Sequence, residues 1–166
     1  MPELLQRVTI RPANGKDAEA IARLSGKLGY EVSAGVMEQR LGVIGASRCD
    51  LVVVAVRAKF LRQSERESNG RSEEQNGEVV GWLQAHAADI LESGFRVEIT
   101  GMIVSPEVRR CGVGRLLVAD AEKWAREKGA GVVVVRSNAQ RVESHFFYPA
   151  LGFRESKKQV VYRKNF

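Results

Sequence analysis

The sequence predicts an α/β protein of three layers, with a mixed and mostly antiparallel central sheet between helices. Three observations predict it: a first strand is followed by two helices, β-branched runs then succeed one another as a meander, and an amphipathic helix near 113–128 separates the later strands. With 166 residues, 44% of them hydrophobic, the chain has the apolar content for one full core, so a single domain over residues 1–166 is expected.

Each element has its own reason. Val8-Thr-Ile10 is a short apolar strand, and Asn14 with Asp17 three residues on has the spacing of a capping box, opening a helix through Ile21, Leu24 and Leu28. A second helix is expected from Ser33, with Val36, Met37, Leu41 and Ile44 on one face. The β-branched run Leu51–Val56 is a buried strand. From Arg57 to Glu78 the chain is nearly all polar apart from Phe60 and Leu61, so residues 57–78 cannot offset their ordering entropy and are expected to be a flexible insertion between neighbouring strands. Val79–His86 resumes the sheet and Arg96–Val104 supplies its central strand. In the helix Val113–Lys128 the residues Val113, Leu116, Leu117, Ala121 and Trp124 form the core face, Glu122 and Arg126 pair toward solvent, and Gly129 is the stop. Val132–Val135 is expected as a further buried strand, Glu143–Tyr148 as a short helix and Val160–Tyr162 as a terminal strand.

The most informative stretch is Val104-Ser-Pro-Glu-Val-Arg-Arg-Cys-Gly-Val-Gly114, where a strand ends, a basic loop follows and two glycines lead into a helix. A helix begins with backbone N–H groups that lack intrahelical partners, and its dipole favours anions there. Gly112 and Gly114 leave those amides uncovered, while Arg109, Arg110 and Arg115 supply positive charge. The element is suited to a pyrophosphate. No Gly-Lys-Ser or Gly-Lys-Thr occurs, which excludes a P-loop, and Leu117 stands where a dinucleotide fingerprint needs its third glycine.

Arg109-x-x-Gly112-x-Gly114 resembles the coenzyme A loop of the GNAT (Gcn5-related) N-acetyltransferases. Further on, Ser137-Asn138-Ala-Gln-Arg141-Val-Glu-Ser-His145-Phe146-Phe147-Tyr148-Pro-Ala-Leu-Gly152-Phe153 resembles that family's ending, with a strand closing on Asn, a helix carrying Phe-Tyr and a Leu-Gly-Phe turn. The resemblance covers Val79 to Phe153 well and the first half only in its order of elements. It implies a GNAT-like fold and acetyl-CoA (coenzyme A) as cofactor. The coenzyme would be held by Met102, Ile103 and Val104 of the central strand, by Arg109, Arg110, Cys111, Gly112, Val113, Gly114 and Arg115 of the loop, and by Asn138 and Tyr148.

Acetyl transfer to an amine requires the ammonium to lose a proton and the departing thiolate to be stabilised. Glu98 is the candidate base, read as sharing a strand face with Thr100, Met102 and Val104; pointing out of the strand or pairing with an arginine is the competing account of the same residue. Tyr148 is the candidate acid, because a phenol with a reference pKa near 10 keeps its proton at pH 7 and the resemblance sets it beside the thioester sulfur. His145, one turn before Tyr148, is a second candidate base, whereas His86 has no visible partner and receives no role. The resemblance implies an N-acetyltransferase acting on a primary amine, and the Gly29-Tyr30 turn with the Arg141–His145 stretch points to the branch of small-amine and aminoglycoside acetyltransferases. A protein or peptide amine as acceptor and a non-catalytic acyl-CoA sensor stay open.

The remaining composition excludes other classes. Cys49, Cys111, His86 and His145 are too scattered for a zinc site, so no metal is expected. The net charge of +6 is spread along the chain without interleaved aromatics, so no nucleic-acid partner is expected. The absence of an apolar leader-like run and of a membrane-length run sets the expectation of a cytoplasmic protein with no membrane partner. The resemblance allows a homodimer.

Overall fold

β1 (Val8–Pro12) opens the computed structural model, which describes residues 8–58 and 77–166. The described residues form two units, one ending at Val135 and one running from Arg136 to Phe166, and each has its own internal structure. Most of the expected insertion at 57–78 lies outside the described residues.

After β1 the capping box forms as the sequence predicts: the Asn14 side chain accepts from Lys16 N–H at 2.9 Å and the Asp17 carboxylate accepts from Asn14 N–H at 2.9 Å. Asp17 is buried, and its two oxygens also receive both terminal nitrogens of Arg11 at 2.8 Å, a bidentate pair that ties the end of β1 to the helix start. α1 (Ala18–Gly26) ends before Leu28 because Gly29, at φ 87°, takes the left-handed turn that lets Tyr30 N–H reach the Ser25 carbonyl at 3.1 Å. α2 (Ala34–Gly45) is capped by the Ser33 hydroxyl. Its Met37 and Leu41 are buried as expected, but Val36 is 41% exposed and lies off the core stripe.

The sheet has the order β1-β2-β3-β4-β5, with β2 (Asp50–Arg57), β3 (Glu78–Ile90), β4 (Gly94–Val104) and β5 (Val133–Val135). The first three pairings are antiparallel and β4–β5 is parallel, giving the mixed, mostly antiparallel sheet that was expected. α1 and α2 cover one face, over Val54, Val56, Ile103 and Trp82. α3 (Val113–Glu127) covers the other, burying Val113, Leu117, Val118, Ala121 and Ala125. Gly81 makes that close packing possible, since a Cβ there would stand 2.9 Å from the Ile103 carbonyl oxygen and 3.3 Å from Leu117 Cδ1. Leu24, Leu83 and Leu117 are fully enclosed, and each such side chain contributes about 1.5–3 kcal/mol by leaving water.

Two strand expectations fail. Val132 is 55% exposed and lies outside β5, whose three residues are only half-buried because β5 is an edge strand. Val160–Tyr162 form no strand and are exposed, since this apolar run has no neighbouring strand to pair with among the described residues. In the second unit the short helix is narrower than expected, α4 (Ser144–Phe147), with Tyr148 as its C-cap.

Candidate functional site

The site begins where β4 stops. Ser105 N–H bonds to the Val80 carbonyl at 2.7 Å, fixing the strand end, and its hydroxyl donates to Glu107. That hydrogen bond is the main reason the Glu107 carboxyl is lowered to about 2, with Lys27 at 3.4 Å adding to it. A single 3-10 turn, Pro106–Val108, then reverses the chain, pinned by the fully buried Val108. Arg109 returns to extended backbone and its Nε donates to the Val104 carbonyl at 3.4 Å.

Two residues then take left-handed backbone, Arg110 at φ 60° and Gly112 at φ 83°. Gly112 is the N-cap of α3, and the first intrahelical bond into the helix runs from Leu116 N–H to the Gly112 carbonyl at 3.1 Å. The amides of Val113, Gly114 and Arg115 therefore open the helix without intrahelical partners. Arg109, Arg110 and Arg115 are exposed around them, and Cys111 is half-buried. Aligned amides at a dipole terminus with three guanidinium groups form a donor set that fits a diphosphate.

β4 leads into this loop past the end of its partner. The β4–β5 ladder has three pairs, Val97–Val133, Glu98–Val134 and Ile99–Val135, so Met102, Ile103 and Val104 continue beyond it. Ser105 and the turn Pro106–Val108 join this segment to the loop from Arg109 to Arg115.

Glu98 does not share a face with Met102 and Val104 as the strand alternation predicted. Gln84 pairs with Gly101 but Ala85 pairs with Ile99, so Thr100 is skipped as a bulge. One extra residue reverses the alternation, which puts Glu98 on the face of Gly101 and Ile103 and leaves Met102 and Val104 on the opposite one. The face that receives Glu98 is the one covered farther up by α1 and α2, and it carries Trp82, whose indole N–H is buried without a partner among the described residues.

On that face Glu98 stands in a polar row. Asp50, His86 and Glu98 are directly opposite one another on β2, β3 and β4. His86 Nδ1 lies 3.0 Å from Asp50 Oδ1, and Arg96 lies 3.3 Å from Glu98. The Asp50, Arg96 and Glu98 side chains are 16–19% exposed, whereas that of His86 is 45% exposed. His86 and Asp50 escaped the sequence reading because they are 36 residues apart and only strand register joins them.

The second unit holds the remaining expected residues. Asn138 does not close a strand: β5 ends at Val135, and Asn138 Oδ1 accepts from Gln140 N–H at 2.9 Å in a local turn. Tyr148 is half-buried between Phe147 and Phe153, its ring edge-on to theirs at 5.1 and 5.7 Å. Burial raises its phenol pKa above the ordinary 10.0, with Arg141 opposing. His145 is exposed.

Comparison with known proteins follows the same outline. The acetyltransferase (GNAT) family model matches residues 47–153. An aminoalkylphosphonate N-acetyltransferase of Salmonella typhimurium is 35% identical over 82 residues, 49% of this chain and 53% of that protein. A type 1 aminoglycoside N(6')-acetyltransferase of Stenotrophomonas maltophilia is 28% identical over 92 residues, 53% of this chain and 60% of the relative. The chain thus spans little more than half the length of these relatives. Among solved structures, an aminoglycoside 6'-N-acetyltransferase from Acinetobacter haemolyticus superposes with a TM-score of 0.71 at 22% identity, over 95% of this chain and 99% of that one. An aminoglycoside N-acetyltransferase solved with CoA gives 0.76 at 20% identity, over 95% and 94%. No helix of the described residues is long and apolar enough to cross a membrane.

Proposed function

The chain belongs to the GNAT acetyltransferase family, and from that premise we propose that it works as a single domain, an acetyl-CoA-dependent N-acetyltransferase for primary amines of small molecules. The observation that carries the reading is the loop from Arg109 to Gly114, which opens α3 on a left-handed glycine between exposed arginines. The relatives named for aminoglycosides and aminoalkylphosphonates support a small-molecule acceptor. A cytoplasmic site of action fits such an acceptor and this cofactor.

Acetyl-CoA, when bound, supplies a thioester-activated acetyl group. The amides of Val113, Gly114 and Arg115 and the guanidinium groups of Arg109, Arg110 and Arg115 would hold its diphosphate, with Cys111 and Gly112 contributing backbone. Met102, Ile103 and Val104 would offer strand-edge backbone to the pantetheine arm, for which Asn138 is the proposed further contact. Glu98 takes the proton that the acceptor's ammonium must lose before its nitrogen has a lone pair. Tyr148, whose phenol burial raises above its ordinary pKa, would protonate the leaving sulfur, and the second proton that the nitrogen loses as the amide forms would restore the phenol.

The test is a thermal shift with acetyl-CoA, CoA and ATP in parallel, because a ligand that binds only the folded state must raise its melting temperature. A rise with both coenzymes and little with ATP is expected, and an unchanged melting temperature at millimolar acetyl-CoA refutes the cradle. Turnover is then followed as CoA thiol release, which Glu98→Gln and Tyr148→Phe are expected to lower while the coenzyme shift persists.

A further inference from the structure

The half-exposed histidine of the polar row has a geometry that the reaction just described can use. Glu98 is largely enclosed and lies against Arg96, so a proton it receives must leave before the next turnover. The neighbouring residue across the ladder is His86, and directly opposed side chains of an antiparallel pair have Cβ atoms about 4.5–5.5 Å apart. Long side chains rooted at that spacing are near enough for a water to join their polar ends.

Asp50 gives His86 a defined orientation. Its carboxylate takes the Nδ1–H, which directs the imidazole Nε2 away as the basic nitrogen. Among the described residues Nε2 has no hydrogen-bond partner, and the ring is the most exposed member of the row. The charged groups facing it are Asp50 from β2 and Glu98 and Arg96 from β4; the helices on this face cover Val54, Trp82 and Ile103 instead.

Resting on the acetyltransferase reading, we propose that His86, held by Asp50, carries the acceptor's proton from Glu98 to solvent. The ammonium N–H bond breaks as its proton passes to the Glu98 carboxylate. That proton moves through one water to His86 Nε2, forming an imidazolium that the Asp50 carboxylate stabilises. The imidazolium then releases it to a buffer base, so His86 and Glu98 end the cycle as they began it. His86 acts through Glu98 and is a positioning residue for the proton, not a contact of the substrate.

The experiment compares wild type, His86→Gln and Asp50→Asn in CoA thiol release, with kanamycin and aminomethylphosphonate as acceptor probes and with imidazole added in increasing concentration. His86→Gln is expected to lower kcat by about a hundredfold with acceptor KM and the acetyl-CoA thermal shift unchanged, and added imidazole is expected to restore rate. Asp50→Asn is expected to lower kcat in the same direction, and its half-buried site makes it the second measurement should the glutamine variant fold poorly. An unchanged kcat in His86→Gln, or a loss confined to KM, overturns the relay. Wild-type protein that releases no thiol with either probe overturns the acetyltransferase reading itself, a result separate from a relay that fails in an active enzyme.

Discussion

Alanine at Gly114 and alanine at Gly112 should move the stability of this protein in opposite directions while weakening the same ligand. Gly114 is the second residue of α3 and has ordinary helical backbone, so its replacement removes the entropic cost of glycine in a helix, about 0.5–1 kcal/mol. Gly112 stands at φ 83°, where a Cβ costs roughly 1–2 kcal/mol. For a chain of 166 residues each kcal/mol moves the melting temperature by about 2–4 °C. Gly114→Ala should therefore melt about 1–4 °C higher than wild type, and Gly112→Ala about 2–8 °C lower. Both place a methyl group against amides that open the helix, and loss of one charge-assisted hydrogen bond costs about 1.5–3 kcal/mol, a roughly ten- to hundredfold weaker CoA. Thermal denaturation without ligand gives the first quantity and calorimetric titration with CoA the second. A Gly114→Ala protein that binds CoA as wild type does would refute the assignment of these amides to the diphosphate, whatever its melting temperature.

Gly81→Ala should destabilise the sheet–helix packing by about 1–3 kcal/mol in urea denaturation, because its Cβ would meet the Ile103 carbonyl oxygen at 2.9 Å and backbone must shift. Burial raises the Tyr148 pKa, so the folded protein gives up this proton later than the unfolded chain; the stability it contributes is present below pH 10.0 and is lost as pH rises above it, and Tyr148→Phe should flatten that alkaline limb of the melting curve. Glu107 has the opposite sign. Its contribution is present above pH 4.5 and is lost as pH falls toward about 2, and acid titration of Glu107→Gln by circular dichroism should lack that component.

Local signals were legible because they are carried by neighbours in sequence. The capping box at Asn14 and Asp17 and the glycine that caps α3 each need only a few residues of spacing and formed as read; on the apolar face of α3, Val113, Leu117 and Ala121 are buried as expected, whereas Leu116 and Trp124 are half-buried and Val118 and Ala125 are enclosed with the core. Val36 and Val160–Tyr162 show where that kind of reading stops. An apolar residue is buried only if another element comes to cover it, and neither helical period nor β-branching states which elements will meet. The same holds for Asn138, whose side chain is satisfied within its own turn, so that strand-ending sequence and strand end differ by three residues.

The acid–base face was the least legible part because it depends on parity. Simple alternation along β4 puts Glu98 with Met102 and Val104, and the single skipped residue Thr100 reverses that assignment. Nothing in Ile99-Thr-Gly101 names the bulge in advance. Gly101 does carry its physical reason: the Trp82 ring packs where a Cβ would sit, at 2.9 Å, so the position takes glycine and the strand can kink against the indole. The kink has a consequence for chemistry as well as packing. By changing the face of Glu98 relative to Met102 and Val104 of the same strand, it brings that carboxylate into line with His86 and Asp50, two residues from other strands, while Met102–Val104 run on toward the loop that opens α3. One strand thus presents the proposed base and the proposed coenzyme-binding backbone in separate segments, divided at Thr100.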